Sequence, residues 1–262
     1  MNNGIAGGRV EHKRSLLNEL ISPVYQTESL LTQLAAEFRE EGYIRLAGLL
    51  SPQAFSALNS EIEEQVTAAY SRNFIMEGYG TPRQLSVMGG STLLRNTDLI
   101  WTLYAHWELR RLITRLTGSE VYSCLHPDEF MVANFLLERG DTHGWHLDDP
   151  AYALIIFFAA PAPEDGGVIE YIPHWRAFCE SVGTSPEHNV DRTVELARER
   201  GLIRLKHHNT GDAYLLRADQ ALHRVTGLKR DGIRRIVLNL AFEASSSPVY
   251  GNTASILYGE TQ

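Results

Sequence analysis

The chain has 262 residues, 44% of them hydrophobic, and 32 Asp and Glu against 24 Lys and Arg give a formal net charge of −8. This balance lacks the basic excess that a phosphate-backbone partner requires, so the expected partner is a small molecule and not nucleic acid. The longest apolar run, Ala151 to Ala160, falls well short of the ~20 residues that cross a bilayer; the opening Met1 to Gly8 has no apolar segment behind a basic one, so no membrane partner and no secretory signal are expected, and residence is expected in the cytoplasm.

The stretch from about 12 to 118 reads as helical. Thr27-Glu28 opens an apolar stripe through Leu30, Leu31, Leu34 and Phe38 that Gly42 closes. Ser51-Pro52 sets an N-cap with proline at the first helical position, leading Phe55, Leu58, Ile62 and Val66, and a third helix spans Leu109 to Leu116 before Gly118. From Val121 the texture turns to short β-branched and aromatic runs. Strands are expected over Phe130 to Leu137, Ala153 to Phe158, Val168 to Ile172, Asp212 to Leu216 and Arg235 to Phe242, with Glu164-Asp165-Gly166-Gly167 as a hairpin between strands. Asp191 to Arg200, closed by Gly201, is an inserted helix. Cys124 and Cys179 stand in no ligand-like spacing, which excludes a disulfide framework or a zinc knuckle. The predicted fold is one α+β domain over 1–262: a double-stranded β-helix, a cupin-like jelly roll, in its core at about 121–243, with the N-terminal helices packed on its major sheet.

His146 and Asp148 form a His-x-Asp pair, and His223 follows 77 positions later. On an extended segment residues i and i+2 share a face, so both side chains can reach one metal. Two imidazoles and one carboxylate form the facial triad of non-haem Fe(II) oxygenases, which leaves coordination positions open. The competing reading makes His146 and His223 hydrogen-bonded interior histidines and Asp148-Asp149-Pro150 a turn. Against it stand Gly211-Asp212-Ala213-Tyr214 opening the strand before His223, the Gly166-Gly167 turn, and the arginine pair Arg234-Arg235 after Asp231-Gly232. Together these match the order of parts in 2-oxoglutarate-dependent oxygenases.

Such an oxygenase needs a buried cation for the far carboxylate of 2-oxoglutarate, and the planar fork of arginine gives a bidentate contact. In the strand from Arg235 to Phe242, Ile236, Leu238, Leu240 and Phe242 form one large apolar set, while Arg235, Val237, Asn239 and Ala241 form a small or polar one. The second set is expected to face the cavity, which selects Arg235. Arg234 is the fallback, since a bulge after Gly232 exchanges the two faces. Of the other histidines, His12, His106, His126, His188, His207 and His208 read mostly as surface residues, and His174, at a strand end, as a candidate support for the metal site.

The block Gly140-Asp141-Thr142-His143-Gly144-Trp145-His146 followed by Asp149, with Ala153-Leu154-Ile155 and Gly166-Gly167, resembles the BesD-like group of radical amino-acid halogenases and their hydroxylase relatives. The resemblance runs from about Arg83 to Phe242, and its most specific piece is the His-Gly-Trp-His run. It implies Fe(II) and 2-oxoglutarate as cofactors, O2 as co-substrate, and a free amino acid, lysine or another cationic one, as substrate. In the halogenases a glycine replaces the metal-binding carboxylate so that chloride can occupy its position; Asp148 therefore implies the hydroxylase branch, with hydroxylation of an aliphatic C–H the default over desaturation. By the same resemblance His143, Asp149, Glu129, Arg83 and Asn239 are the substrate-binding residues, with Arg83 as an arginine that closes over the substrate. Leu147 departs from the group's frequent tryptophan and Ala241 from its threonine. The alternatives are a phytanoyl-type oxygenase of another small metabolite and a non-catalytic jelly-roll binding protein.

Overall fold

Capping chemistry and apolar period agree at the helices that the sequence marks. The computed structural model describes residues 20–259, so His12 lies outside the described residues. Helix α1 (Glu28–Glu41) ends where Gly42 takes a φ of 63° and returns its N–H to Phe38 O, a turn that only glycine adopts without strain. Ser51 Oγ accepts from Ala54 N–H at 3.2 Å at the start of α2 (Pro52–Gln65), as the Ser-Pro pair predicts.

The N-terminal part is not wholly helical. Strand β1 (Tyr43–Leu46) and the hairpin of β2 (Tyr70–Met76) and β3 (Thr81–Met88) interrupt it before α3 (Gly90–Asn96), α4 (Leu99–Ala105) and α5 (Trp107–Thr117). In β3 the inward set is Thr81, Arg83, Leu85 and Val87; two polar residues in it, with Pro82 between them, hide the period-two pattern of a strand.

The barrel follows as β4 (Tyr122–Ser123), β5 (Met131–Leu136), β6 (Thr142–His146), β7 (Tyr152–Ala159) and β8 (Ile169–Ile172). Helices α6 (Trp175–Ser181) and α7 (Val190–Glu199) intervene before β9 (Arg204–Lys206), β10 (Ala213–Leu216), β11 (Leu222–Val225), β12 (Arg235–Glu243) and a last helix α8 (Thr253–Tyr258). The antiparallel path runs β1-β10-β7-β12-β5-β3-β6-β11-β8-β9, with β2 on β3 and β4 on β12. Strand β3 makes the join: Ser86 to Met88 pair with β5, and Arg83 and Gln84 pair with β6. The sheet thereby curls on itself as the predicted double-stranded β-helix.

One expectation is corrected. Glu164 to Gly167 is no hairpin, because β7 pairs with β10 and β12 whereas β8 pairs with β9 and β11. It is a crossover between the two sides of the barrel, turned by Gly166 and Gly167 at φ values of 82° and 65°.

The alternation of β12 sorts the core. Ile236, Leu238, Leu240 and Phe242 join Leu34, Phe38, Leu58, Ile62 and Leu109 of the helices in one apolar cluster, while Val237 lies with Tyr43, Ile155, Phe157 and Tyr214 in a second cluster inside the barrel. At about 1.5–3 kcal/mol for each fully buried large side chain, this outer layer holds the helices to the major sheet and leaves the inner face free to carry polar groups. Among the described residues no helix is long and apolar enough to cross a membrane.

Candidate metal centre

Strand pairing brings the two histidines together. Strand β11 lies antiparallel to β6 with His223 directly opposite His146, and their ring centroids are 4.2 Å apart. Asp148 follows β6 in an extended segment fixed by its own N–H to Ala218 O at 3.1 Å. Its Oδ1 lies 3.3 Å from His146 Nε2 and 3.7 Å from His223 Nε2. The three ligand atoms are within 4.8 Å of one another, and among the described residues no other such group of histidine, cysteine and carboxylate side chains is found.

The backbone sets the tautomers. His146 Nδ1 lies 2.7 Å from Gly144 O and His223 Nδ1 2.9 Å from Ala221 O. A carbonyl only accepts, so each Nδ1 carries the hydrogen and each Nε2 turns its lone pair toward Asp148. Burial, then the neighbouring His223, hold His146 down to about 4. Burial alone would raise the Asp148 carboxyl, yet the facing His223 and His146 keep it below its ordinary value. At neutral pH His146 is thus a neutral imidazole and Asp148 an ionised carboxylate, the states in which a divalent metal is bound. This donor set fits iron.

The inner face of β12 supplies a buried cation. Arg235 is 2% exposed, its guanidinium 5.0 Å from the Phe157 ring centroid; Tyr214 bonds to it, and its Nε has no partner. Arg234 points outward and bonds Glu63 Oε2 at 2.7 Å, which removes it as the fallback. The ladder from β12 to β5 is unbroken from Arg235 to Leu240, and the register shift toward β7 between Ile236 and Val237 skips Phe158 of β7 and no residue of β12, so the faces of β12 are not exchanged. Arg235 and the triad line one cavity together with His143, Asn239, Asn134, Tyr214 and Tyr258. A buried arginine with an unpaired N–H beside a metal triad fits a cosubstrate carboxylate.

The other substrate candidates divide. His143 is buried, stacks on His146 at 4.0 Å and 14°, and leaves Nε2 without a partner; burial and then His146 hold its pKa well below the ordinary value. Arg83 is not on a closing loop. It sits fully buried in β3 opposite His143, with Nη1 bonded to Thr81 Oγ1, Pro82 O and Gly144 O, and Nε and Nη2 unpartnered. Glu129 lies in the turn before β5; it is buried, its Oε2 has no partner, and burial, then Asp148, raise it to about 9. Asp149 is exposed and accepts Gly251 N–H at 2.7 Å, so it ties down the C-terminal segment; like Arg83 and Glu129 it lies outside the cavity lining. Asn239 lines the cavity.

Two further histidine readings change. His174 is exposed and lies 3.1 Å from Glu40 O, on α1, so it gives the triad no support. His208 is buried, 2.7 Å from the Tyr43 hydroxyl and stacked on Phe157. Sequence reasoning also missed Asn134, Tyr214 and Tyr258 as cavity residues. Asn134 carries a signal, being the one polar residue in Met131–Leu136; Tyr258 carries none, since α8 lies outside the barrel pattern.

Residues 25–255 match the sequence profile of the family described as Halogenase D. No curated protein matches the sequence. Among solved structures, the chain resembles the epimerase SnoN in complex with Fe3+, alpha ketoglutarate and nogalamycin RO, at 13% identity and TM-score 0.62 over 84% of this chain and 86% of that one. AviO1 from Streptomyces viridochromogenes Tue57 is similar at 18% identity and TM-score 0.61, covering 84% and 97%. EctD from S. alaskensis with bound Fe is similar at 17% identity and TM-score 0.59, covering 87% and 84%. At these identities the likeness is one of fold.

Proposed function

From the premise that this chain belongs to the Halogenase D family, we propose that it is an Fe(II)- and 2-oxoglutarate-dependent dioxygenase that hydroxylates an aliphatic C–H of a free amino acid, lysine or another cationic one. The observation that carries the reading is Asp148. Its Oδ1 lies 3.3 and 3.7 Å from the two Nε2 atoms and would supply the iron with the ligand whose position a halide would need, which favours hydroxylation over halogenation within a family named for the latter. Solved structures of the same fold include EctD with 2-oxoglutarate and 5-hydroxyectoine and a Pseudomonas putida prolyl-4-hydroxylase, which supports C–H hydroxylation of a small amino-acid-like substrate.

His146, Asp148 and His223 would hold the iron, and Arg235, braced by Tyr214, the far carboxylate of 2-oxoglutarate. When bound, the metal and its cosubstrate supply the oxidising chemistry: one oxygen atom of O2 goes to the substrate C–H and the other to 2-oxoglutarate, which leaves as succinate and CO2. The remaining side chains bind and orient. Arg83 offers two unpartnered N–H-bearing nitrogens and His143 an unpartnered ring nitrogen on one side of the triad, suited to an α-carboxylate. Glu129 offers a buried carboxyl oxygen to an ammonium. A cationic amino acid entering this interior needs a partner for its carboxylate and one for its side-chain ammonium, because a buried charge left unpaired costs several kcal/mol.

The test is anaerobic loading with Fe(II), then O2 and 2-oxoglutarate with a panel of free amino acids in saturating chloride. Succinate release with a mass gain of one oxygen on a cationic amino acid is the expected result. A chlorinated main product would overturn the hydroxylase reading, and 2-oxoglutarate consumption with no amino acid altered would overturn the substrate class.

A further inference from the structure

The inward-facing set of β12 does not stop at Ala241. Strand β12 reaches Glu243, which has the parity of Arg235, Val237 and Asn239, while its neighbour Phe242 turns to the helices and stacks on Tyr104. The inner face therefore carries a guanidinium at one end, an amide in the middle and a carboxyl at the other. Glu243 is 4% exposed. Ala151 N–H reaches its Oε2 at 3.4 Å and Tyr250 engages the carboxyl, yet Oε1 is buried with no partner.

The neighbours of Glu243 make this unusual. Asp149 and Asp219 are close enough to act on its charge, and Glu243 in turn acts on Glu129, whose Oε2 is likewise buried and unpartnered. Asn239 Oδ1 and Asn134 Oδ1 lack partners too. Buried acceptors are almost always satisfied in native proteins, so the open oxygens of Glu129 and Glu243, with Glu243 acting on the charge of Glu129, describe a missing donor. Among the described residues no second group of three His, Cys, Asp or Glu side chains gathers its ligand atoms closely enough for a metal ion. A ligand with several N–H bonds and a positive charge suits the open oxygens.

We infer that Glu243, with Glu129, receives the substrate's side-chain ammonium and makes the site selective for a basic amino acid over its neutral isostere. This rests on the function proposed above and adds to it a specificity-determining carboxyl. Tyr250 acts through Glu243: its ring oxygen accepts Leu125 N–H at 2.8 Å, which holds the hydroxyl where it meets the carboxyl. An ammonium placed between the two glutamates would satisfy both open oxygens, and norleucine, which has the carbon chain of lysine but no side-chain ammonium, would leave both orphaned.

The experiment is anaerobic calorimetry of the protein loaded with Fe(II) and 2-oxoglutarate, titrated with L-lysine and with L-norleucine. In the wild type lysine should bind more tightly than norleucine. Glu243→Gln should weaken lysine at least tenfold and move norleucine by less than twofold, and Glu243→Asp, which keeps the charge, should recover part of the loss. The affinity for 2-oxoglutarate, measured on each variant, should stay at the wild-type value and reports an intact barrel. Equal lysine binding by wild type and Glu243→Gln overturns the assignment, as does an equal loss of both amino acids or a wild type that prefers norleucine. A wild type that binds no 2-oxoglutarate fails at the earlier step and takes down the proposed function itself.

Discussion

At the scale of single residues, the metal site depends on two carbonyl groups that touch no metal. Gly144 O and Ala221 O hold the Nδ1 hydrogens, so both imidazoles enter in the competent tautomer and neither reorients on binding. Removing one imidazole leaves two ligands. His223→Ala is expected to abolish stoichiometric Fe(II) binding and the visible absorption of the iron–2-oxoglutarate complex, read by metal analysis and anaerobic spectroscopy; a variant that keeps both would sink the triad. The two adjacent arginines make a sharper comparison. Arg235 is buried without a carboxylate partner, and Arg234 is a surface residue paired with Glu63. Losing a charge-assisted contact to a buried carboxylate costs ~2–5 kcal/mol, or roughly one and a half to more than three decades in affinity, whereas an exposed pair is worth about 0–1 kcal/mol. Arg235→Ala should therefore raise the Kd for 2-oxoglutarate at least thirtyfold, and Arg234→Ala should leave it within a factor of about two. The reverse order would mean that the cosubstrate lies elsewhere.

At the scale of elements, the site is assembled by register and by one crossover. The direct pairing of His223 with His146 works only if the chain, after leaving β7 on one side of the barrel, returns on the other, and Gly166 and Gly167 turn it there. At Gly166 a Cβ would stand 2.1 Å from Gly227 O in addition to a φ of 82°, whereas Gly183, at 75°, has nothing within 4 Å. Gly183→Ala should cost about 1–2 kcal/mol from backbone strain alone, and Gly166→Ala, with a backbone clash added, about 2–4 kcal/mol, both read from urea midpoints. Similar costs at the two positions would show that the crossover yields easily. These elements were unequally legible in the sequence. The outward and inward sets of β12 followed from period two, because each set is chemically uniform. The β2–β3 hairpin was hidden because β3 spends two inward positions on Thr81 and Arg83, residues that serve the site and not the core. The Gly166-Gly167 turn was visible as a turn but not as a crossover, since a turn's residues do not say which strands pair beyond it. Glu129 and Arg83 came only from a family resemblance: nothing in their local sequence distinguishes a buried charge from a solvated one.

At the scale of the molecule, apolar helices cover the outside of the major sheet and titratable groups held uncharged fill much of the inside. Their shifts tie stability to pH from both sides. His208 is lowered to about 3, first by burial and then by Arg235. Above the ordinary imidazole value of ~6.5 it is neutral folded or unfolded and contributes nothing to the slope. As pH falls below that value the unfolded chain takes up a proton that the folded protein refuses until about 3, so stability is lost across this window. Glu129, raised to about 9, acts in the opposite sense. Its contribution is fully present below the ordinary carboxyl value and is lost as pH rises toward 9, because the unfolded chain releases the proton first. The metal-free protein is thus expected to lose stability toward both low and high pH. One titrating group tilts the curve by at most about 1.4 kcal/mol per pH unit. His208→Phe keeps a ring against Phe157 but removes the imidazole and with it the hydrogen-bond partner of the Tyr43 hydroxyl, which lowers stability at pH 7. It should nonetheless flatten the decline between pH 6 and 4, leaving the part due to His143 and His146. Urea unfolding of both metal-free proteins at pH 7, 6, 5 and 4 measures this directly, with the slope and not the absolute stability as the readout. Parallel curves would mean that His208 is not held neutral by the fold.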